Sequence, residues 1–172
     1  MATNLQYISD FEATDAVFVN ATNVFTDVYD VYQIHVLEAI NSDQSDWFYM
    51  RFLDSSGNSI TQAEYSYGYR NLRSYMGFSN DYSNSPTSFR VGYTYGGTIN
   101  VSNSIITVYN PYDSNSFTYV TYEASNYING STVAGIQGGA SHKSAESLSG
   151  FQIYFNSSNA GQKLKGKVYG VK

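Results

Sequence analysis

The chain has 172 residues, the size of one ordinary domain and too short for two well-filled cores. Hydrophobic residues make up 42%, enough for a packed interior, while charged residues make up only 13% and leave a net charge of −5. That balance excludes disorder, which needs low hydrophobicity and high net charge, and argues against a nucleic-acid binder, which needs a basic face to displace counterions.

The place of the missing charge is taken by 24 Ser, 16 Asn and 12 Thr, and aromatics reach 17% with 18 Tyr and 10 Phe. Tyr, Phe, Val, Ile and Thr fit a pleated surface, and Gly, Asn and Ser serve tight turns, so the composition reads as all-β. With no cysteine there are no disulfides, no thiol catalysis and no Cys-ligated metal. Two histidines, His35 and His142, leave little for a His-based metal site, and no cofactor is expected. No apolar run approaches the ~18 residues of a membrane-spanning helix. The first six residues have neither basic flank nor apolar core, so a cytoplasmic site of synthesis and no membrane partner are expected.

Short alternating runs bounded by turn residues predict strands, in chain order, over 15–20, 29–40 and 47–54. In the third, Phe48, Met50 and Phe52 share one face, and Tyr49 and Arg51 the other. Residues 54–59 read as a hairpin turn leading to a strand over 60–69. Its Asp54-x-Ser56-x-Asn58 spacing opens like a calcium loop but lacks the Gly and Glu that complete one. Further strands are expected over 88–95, 103–110, 116–128, 150–156 and 164–171. Asn129-Gly130 is the strongest turn signal, since both residues tolerate positive φ. A helical turn is allowed within 140–149. Asp10, Glu12 and Asp15 cluster near the N-terminus and read as solvated loop charges. Lys163, Lys165 and Lys167 alternate with apolar residues, a charged outer face that would discourage pairing at a sheet edge.

Eight to ten antiparallel strands in a single domain over 1–172 predict a two-sheet β-sandwich, with a jelly roll as the connectivity. The expected core is Phe48, Met50, Phe52, Ile105, Val108, Phe151, Ile153, Phe155 and Val168.

No catalytic constellation stands out. His35 lies mid-strand and reads as a hydrogen-bonded, partly buried residue, and His142 lies in a Ser/Gly-rich stretch and reads as solvent-facing. The clearest local bias is in 64–95, where Tyr65, Tyr67, Tyr69, Tyr75, Tyr82, Tyr93 and Tyr95 accompany Arg70, Arg73 and Arg90. Tyr with Ser, Asn and Gly is the mixture of binding surfaces, but also of half-buried strands. The interface candidates are Tyr65, Tyr67, Tyr69, Arg70, Arg73, Tyr75, Tyr82, Tyr93 and Tyr95.

Several short motifs follow one another from Phe18 to Lys172. They are Phe25-Thr26-Asp27-Val28-Tyr29-Asp30-Val31-Tyr32-Gln33-Ile34, Met50-Arg51-Phe52-Leu53-Asp54-Ser55-Ser56-Gly57, Ala63-Glu64-Tyr65-Ser66-Tyr67, Val108-Tyr109-Asn110-Pro111, Gly150-Phe151-Gln152-Ile153-Tyr154-Phe155-Asn156-Ser157 and the closing Gly166-Lys167-Val168-Tyr169-Gly170-Val171-Lys172. This order resembles a family of small structural proteins of tailed bacteriophages. The resemblance implies a non-enzymatic jelly-roll protein of the virion surface, a capsid decoration or cement protein or a head fibre, with residues 1–15 as an N-terminal arm. It implies the major capsid protein or another virion protein as partner, and a homo-oligomer with a trimer favoured. The alternative is a tail-fibre module that binds a host-surface glycan or receptor.

Overall fold

The computed structural model describes residues 4–42, 45–74, 77–97, 100–128, 132–157 and 162–172. Among them are twelve strands and no helix: β1 (Leu5–Thr14), β2 (Phe18–Ala21), β3 (Val31–Asn41), β4 (Asp46–Leu53), β5 (Tyr65–Arg73), β6 (Gly77–Ser83), β7 (Phe89–Thr94), β8 (Ser102–Tyr109), β9 (Thr118–Ile128), β10 (Thr132–His142), β11 (Gly150–Phe155) and β12 (Gln162–Val171). They form an eight-stranded sheet, β1-β12-β3-β8-β9-β10-β5-β6, and a four-stranded sheet, β2-β11-β4-β7, antiparallel throughout. The two-sheet sandwich is therefore the observed fold class.

The core is the interdigitated inner faces. On β4, Phe48, Met50 and Phe52 are fully buried, and across the register Phe151, Ile153 and Phe155 of β11 are buried with them. Phe25 packs edge-on against Tyr32 and Phe52, at centroid separations of 4.9 and 6.2 Å. Edge-on aromatic pairs add about 0.5–1.5 kcal/mol each beyond the area they bury.

One expected core residue faces out. Ile105 is 51% exposed, and its neighbour Ile106 is buried. Side chains alternate along a strand, so Ile105 and Val108, three apart, cannot both point inward from regular β8. Val108 and Ile106 take the inner face with Ser102 and Ser104.

Three strands fall where none was expected. Residues 5–14 are not an arm but edge strand β1, paired with β12. That pairing sets Asp10 opposite Lys167 and Glu12 opposite Lys165, so these are strand residues paired with lysines rather than loop charges. Lys163 reaches Glu38 on β3 at 2.7 Å, which means the lysines sit on an interior strand flanked by acids rather than on an edge. Strand β6 is a polar edge strand. Strand β10 carries Gly135, Gly138 and Gly139, which depress strand propensity, yet it lies between β9 and β5. A Cβ on Gly138 would lie 2.5 Å from the Tyr122 hydroxyl oxygen and 2.7 Å from the Tyr69 Cβ, so the glycine makes room for two tyrosines.

The 54–59 turn is as expected: Ser56 and Asn58 backbone N–H groups donate to the Asp54 carboxylate at 2.8 and 2.9 Å. Those bonds, the one from Asn58 foremost, hold the Asp54 pKa below its ordinary value. The turn does not run straight into a strand. After an isolated antiparallel bridge between Leu53 and Ser59, the chain crosses from β4 in the small sheet to β5 in the large one, whose pairing starts at Tyr65. Residues 143–149 are not helical. The Asn129-Gly130 turn lies outside the described residues, between the paired β9 and β10.

Candidate binding face on the small sheet

The small sheet covers only part of the large one, and β5 and β6 extend to the flank of β7. There the aromatic-rich stretch divides into three environments. Tyr65 is fully buried, stacked on Phe52 at 6.1 Å, with its hydroxyl accepting the Phe52 N–H at 2.9 Å. Tyr69 is buried too, at 8% exposure. These two belong to the sandwich itself and cannot anchor a partner, because inward positions of β5 face β7 and β4. Burial pushes the Tyr69 phenol up to about 12 and the Tyr65 and Tyr122 phenols further in the same direction.

Tyr67 and Tyr93 are half-buried. The Tyr67 ring stacks on Tyr69 at 6.1 Å, and Tyr93 packs edge-on against Trp47 at 5.2 Å. Arg90, on β7, ties the corner together. Its guanidinium lies 4.9 Å from the centre of the Trp47 ring, donates to the Tyr69 hydroxyl at 3.1 Å and forms an ion pair with Asp81 of β6. Burial works against its charge, but bonds to Tyr69 and Tyr49 outweigh this and raise its pKa.

The third environment is open. Tyr82 is 76% exposed and its β6 neighbour Phe78 is 73% exposed, with the Arg70 guanidinium 5.3 Å from the Phe78 ring centre. Arg73 is half-buried at the end of β5, Tyr95 is half-buried just past β7, and Tyr75 lies outside the described residues.

From Arg90 the polar and aromatic contacts continue across the outer face of the small sheet. Tyr49 stacks on Tyr154 at 5.4 Å and 24°. The Tyr154 hydroxyl donates to Ser88 at 2.8 Å. Arg51 lies 4.4 Å above the Tyr154 ring and donates through Nε to Gln152 at 2.7 Å, and Gln152 donates to Asn20 at 2.8 Å. This row uses the outward positions of β4, including the Tyr49 and Arg51 that alternation assigns there. The signal missed in the sequence was that Gln152 and Tyr154, outward on β11, stand directly opposite Arg51 and Tyr49.

The rings and guanidinium groups of this row are half-buried, with Gln152 buried and Asn20 exposed, and side chains held by one another in this way are already ordered. Docking a partner on it costs little side-chain entropy, one of the costs that association otherwise carries. The flat rings offer apolar area, and the amide and guanidinium groups offer direction.

No family model matches the chain, and no curated protein is similar to it. The functional reading therefore rests on the face itself and on the motifs above.

His35 is half-buried, with its Nε2 at 3.2 Å from the Gln33 side-chain oxygen, as expected. His142 is not solvent-facing. It ends β10 with its side chain fully buried between Phe52 and Tyr65, at 5.9 and 5.0 Å. The Ser/Gly composition around it concealed this, because inward parity on β10, shared with Ala134, Ile136 and Ala140, decides its direction.

Proposed function

We propose that this chain is a non-enzymatic structural protein of a tailed-bacteriophage virion, a decoration or head-fibre protein that attaches to the particle through the outer face of its small sheet. The observation that carries the reading is the continuous row Asn20, Gln152, Arg51, Tyr154, Tyr49 and Arg90, ordered before any partner arrives. The ordered motifs from Phe18 to Lys172 supply the class of particle, and jelly-roll connectivity is part of the same reading. The partner is the major capsid protein or a neighbouring virion protein, and the protein's place is the virion surface.

Self-association uses a different region. Among the described residues, edge strand β6 pairs only with β5 and exposes Phe78 and Tyr82 beside Arg70, with Arg73 at the end of β5. An open strand edge with exposed aromatics is a template for another chain, and a homotrimer is the assembly proposed. Tyr82 and Arg70 are its anchors; Tyr65 and Tyr69, being core, are not.

The attachment experiment uses particles stripped of this protein. Replacing Tyr49 and Tyr154 by Ser should leave the fold intact and weaken rebinding at least tenfold, since aromatic anchors commonly cost about 2 kcal/mol or more when truncated. Unchanged rebinding by a folded variant would refute the face.

A second reading is favoured by one feature. Stacked tyrosines beside a Gln–Asn–Arg row also suit a sugar ring and its hydroxyls. A glycan array with reproducible binders, lost in the same Tyr49/Tyr154 variant, would select a receptor-binding module over a decoration protein.

A further inference from the structure

Away from the binding face, three potential metal ligands converge where the chain crosses between the sheets. Glu64 immediately precedes β5, His142 ends β10, and Glu146 lies on the segment returning to β11. One ligand atom from each lies within 4.8 Å of the others. The backbone fixes all three. Lys143 N–H donates to Glu64 C=O at 2.7 Å, Leu148 N–H to Pro111 C=O at 2.8 Å, and Ser149 N–H to Leu53 C=O at 3.0 Å.

The imidazole decides what this group can do. His142 is fully buried, yet neither ring nitrogen makes a hydrogen bond. Its Nε2 is aimed between the carboxylates, 3.4 Å from Glu64 Oε2 and 3.7 Å from Glu146 Oε1. Those separations exceed the ~2.7–3.2 Å of an N–H···O bond. The two separations from Nε2 lie near the edge of a tetrahedron around an ion held by ~2.1 Å bonds, where ligand atoms stand about 3.4 Å apart, and the two carboxylates, within 4.8 Å of one another, would draw in by about an ångström to hold it. A buried nitrogen lone pair beside two carboxylates is otherwise an unfavourable arrangement, since unpartnered buried polar groups are costly.

We propose that Glu64, His142 and Glu146 bind one divalent transition-metal ion of the zinc type. One imidazole and two carboxylates suit zinc and its first-row neighbours, whereas magnesium and calcium take oxygen ligands alone. Two carboxylate charges balance the ion. The glutamates are about one-third exposed, which gives the ion an entry path and leaves a coordination position facing solvent. The ion would clamp the crossover before β5 to the segment after β10. This assignment is independent of the particle-attachment reading.

The test uses the full chain freed of metal by a chelator. Zn2+ should bind one to one by calorimetry and raise the thermal midpoint, Co2+ should give the visible absorption of a tetrahedral N/O site, and Mg2+ should do neither. Glu64→Gln and Glu146→Gln sit at partly exposed positions that keep the fold. Each should weaken Zn2+ binding at least about tenfold, the scale seen even for losses outside the ligand set. His35→Gln, at the other histidine, should bind as the parent does. Absence of Zn2+ binding, or equal binding by the Glu64→Gln/Glu146→Gln double variant, would overturn the site.

Discussion

Tyr65 and Tyr122 are both buried tyrosines on inward-facing strand positions, yet their hydroxyls should respond oppositely to removal. Strand β4 outruns β7, whose pairing with it ends at Met50–Phe89. Beyond that point Phe52, still paired with Phe151 of β11, has no strand on its β7 side. Its C=O accepts from Ile60 N–H at 3.0 Å, and its N–H donates to the Tyr65 hydroxyl at 2.9 Å. Tyr65→Phe leaves that buried N–H without a partner, a cost of about 1–3 kcal/mol. For a domain of this size 1 kcal/mol moves the midpoint by roughly 2–4 °C, so a loss of about 2 kcal/mol lowers it by roughly 4–8 °C. The Tyr122 hydroxyl, by contrast, is buried with no hydrogen-bond partner. Tyr122→Phe removes an unpaired group and should be neutral or stabilising. Urea unfolding of both variants, with unchanged m-values, gives the comparison directly. Neither variant should alter particle attachment, because neither residue reaches the binding face. A Tyr65→Phe protein as stable as the parent, or a Tyr122→Phe protein less stable than Tyr65→Phe, would refute this division of roles.

Gly138→Ala should destabilise by about 1–3 kcal/mol, the usual cost of overpacking, because the new methyl meets Tyr122 and Tyr69 at 2.5–2.7 Å; thermal unfolding checks it, and a loss under 0.5 kcal/mol would show that the two rings can give way. Alkali should unfold the protein. Burial raises the Tyr65, Tyr69 and Tyr122 pKa values, Tyr69 to about 12, above the ~10 of an unfolded tyrosine. The folded state therefore keeps protons that the unfolded state releases, so stability is complete below about pH 10 and is lost as pH rises through the folded values. Tyrosinate absorbance should show the buried phenols ionising only as the circular dichroism signal collapses.

Strands whose inward residues are large and whose outward residues are polar were legible in the sequence. On β4, Phe48, Met50 and Phe52 alternate with Tyr49 and Arg51, and both faces are where alternation puts them. Legibility failed where parity conflicted with hydrophobicity. The adjacent Ile105 and Ile106 offer two registers, and only pairing with β3 and β9 chooses between them. It failed again on β10, where glycines demanded by Tyr122 and Tyr69 look like loop residues until their neighbours are known. The tyrosine-rich stretch was half visible: Tyr67, Tyr82 and Tyr93 lie near or on the surface, but the counting of tyrosines could not separate them from the buried Tyr65 and Tyr69. The Glu64–His142–Glu146 group was invisible, because its members are brought together only by the crossover between sheets.

Proposed attachment to a virion makes one quantitative demand. Under that proposal, purified virions from the source of this sequence, freed of lysate by gradient banding, should contain the chain at a fixed ratio to the major capsid protein by quantitative mass spectrometry. Many copies per particle, removed only when the particle surface is stripped, is the predicted result. A chain abundant in infected-cell lysate yet missing from banded particles would contradict it.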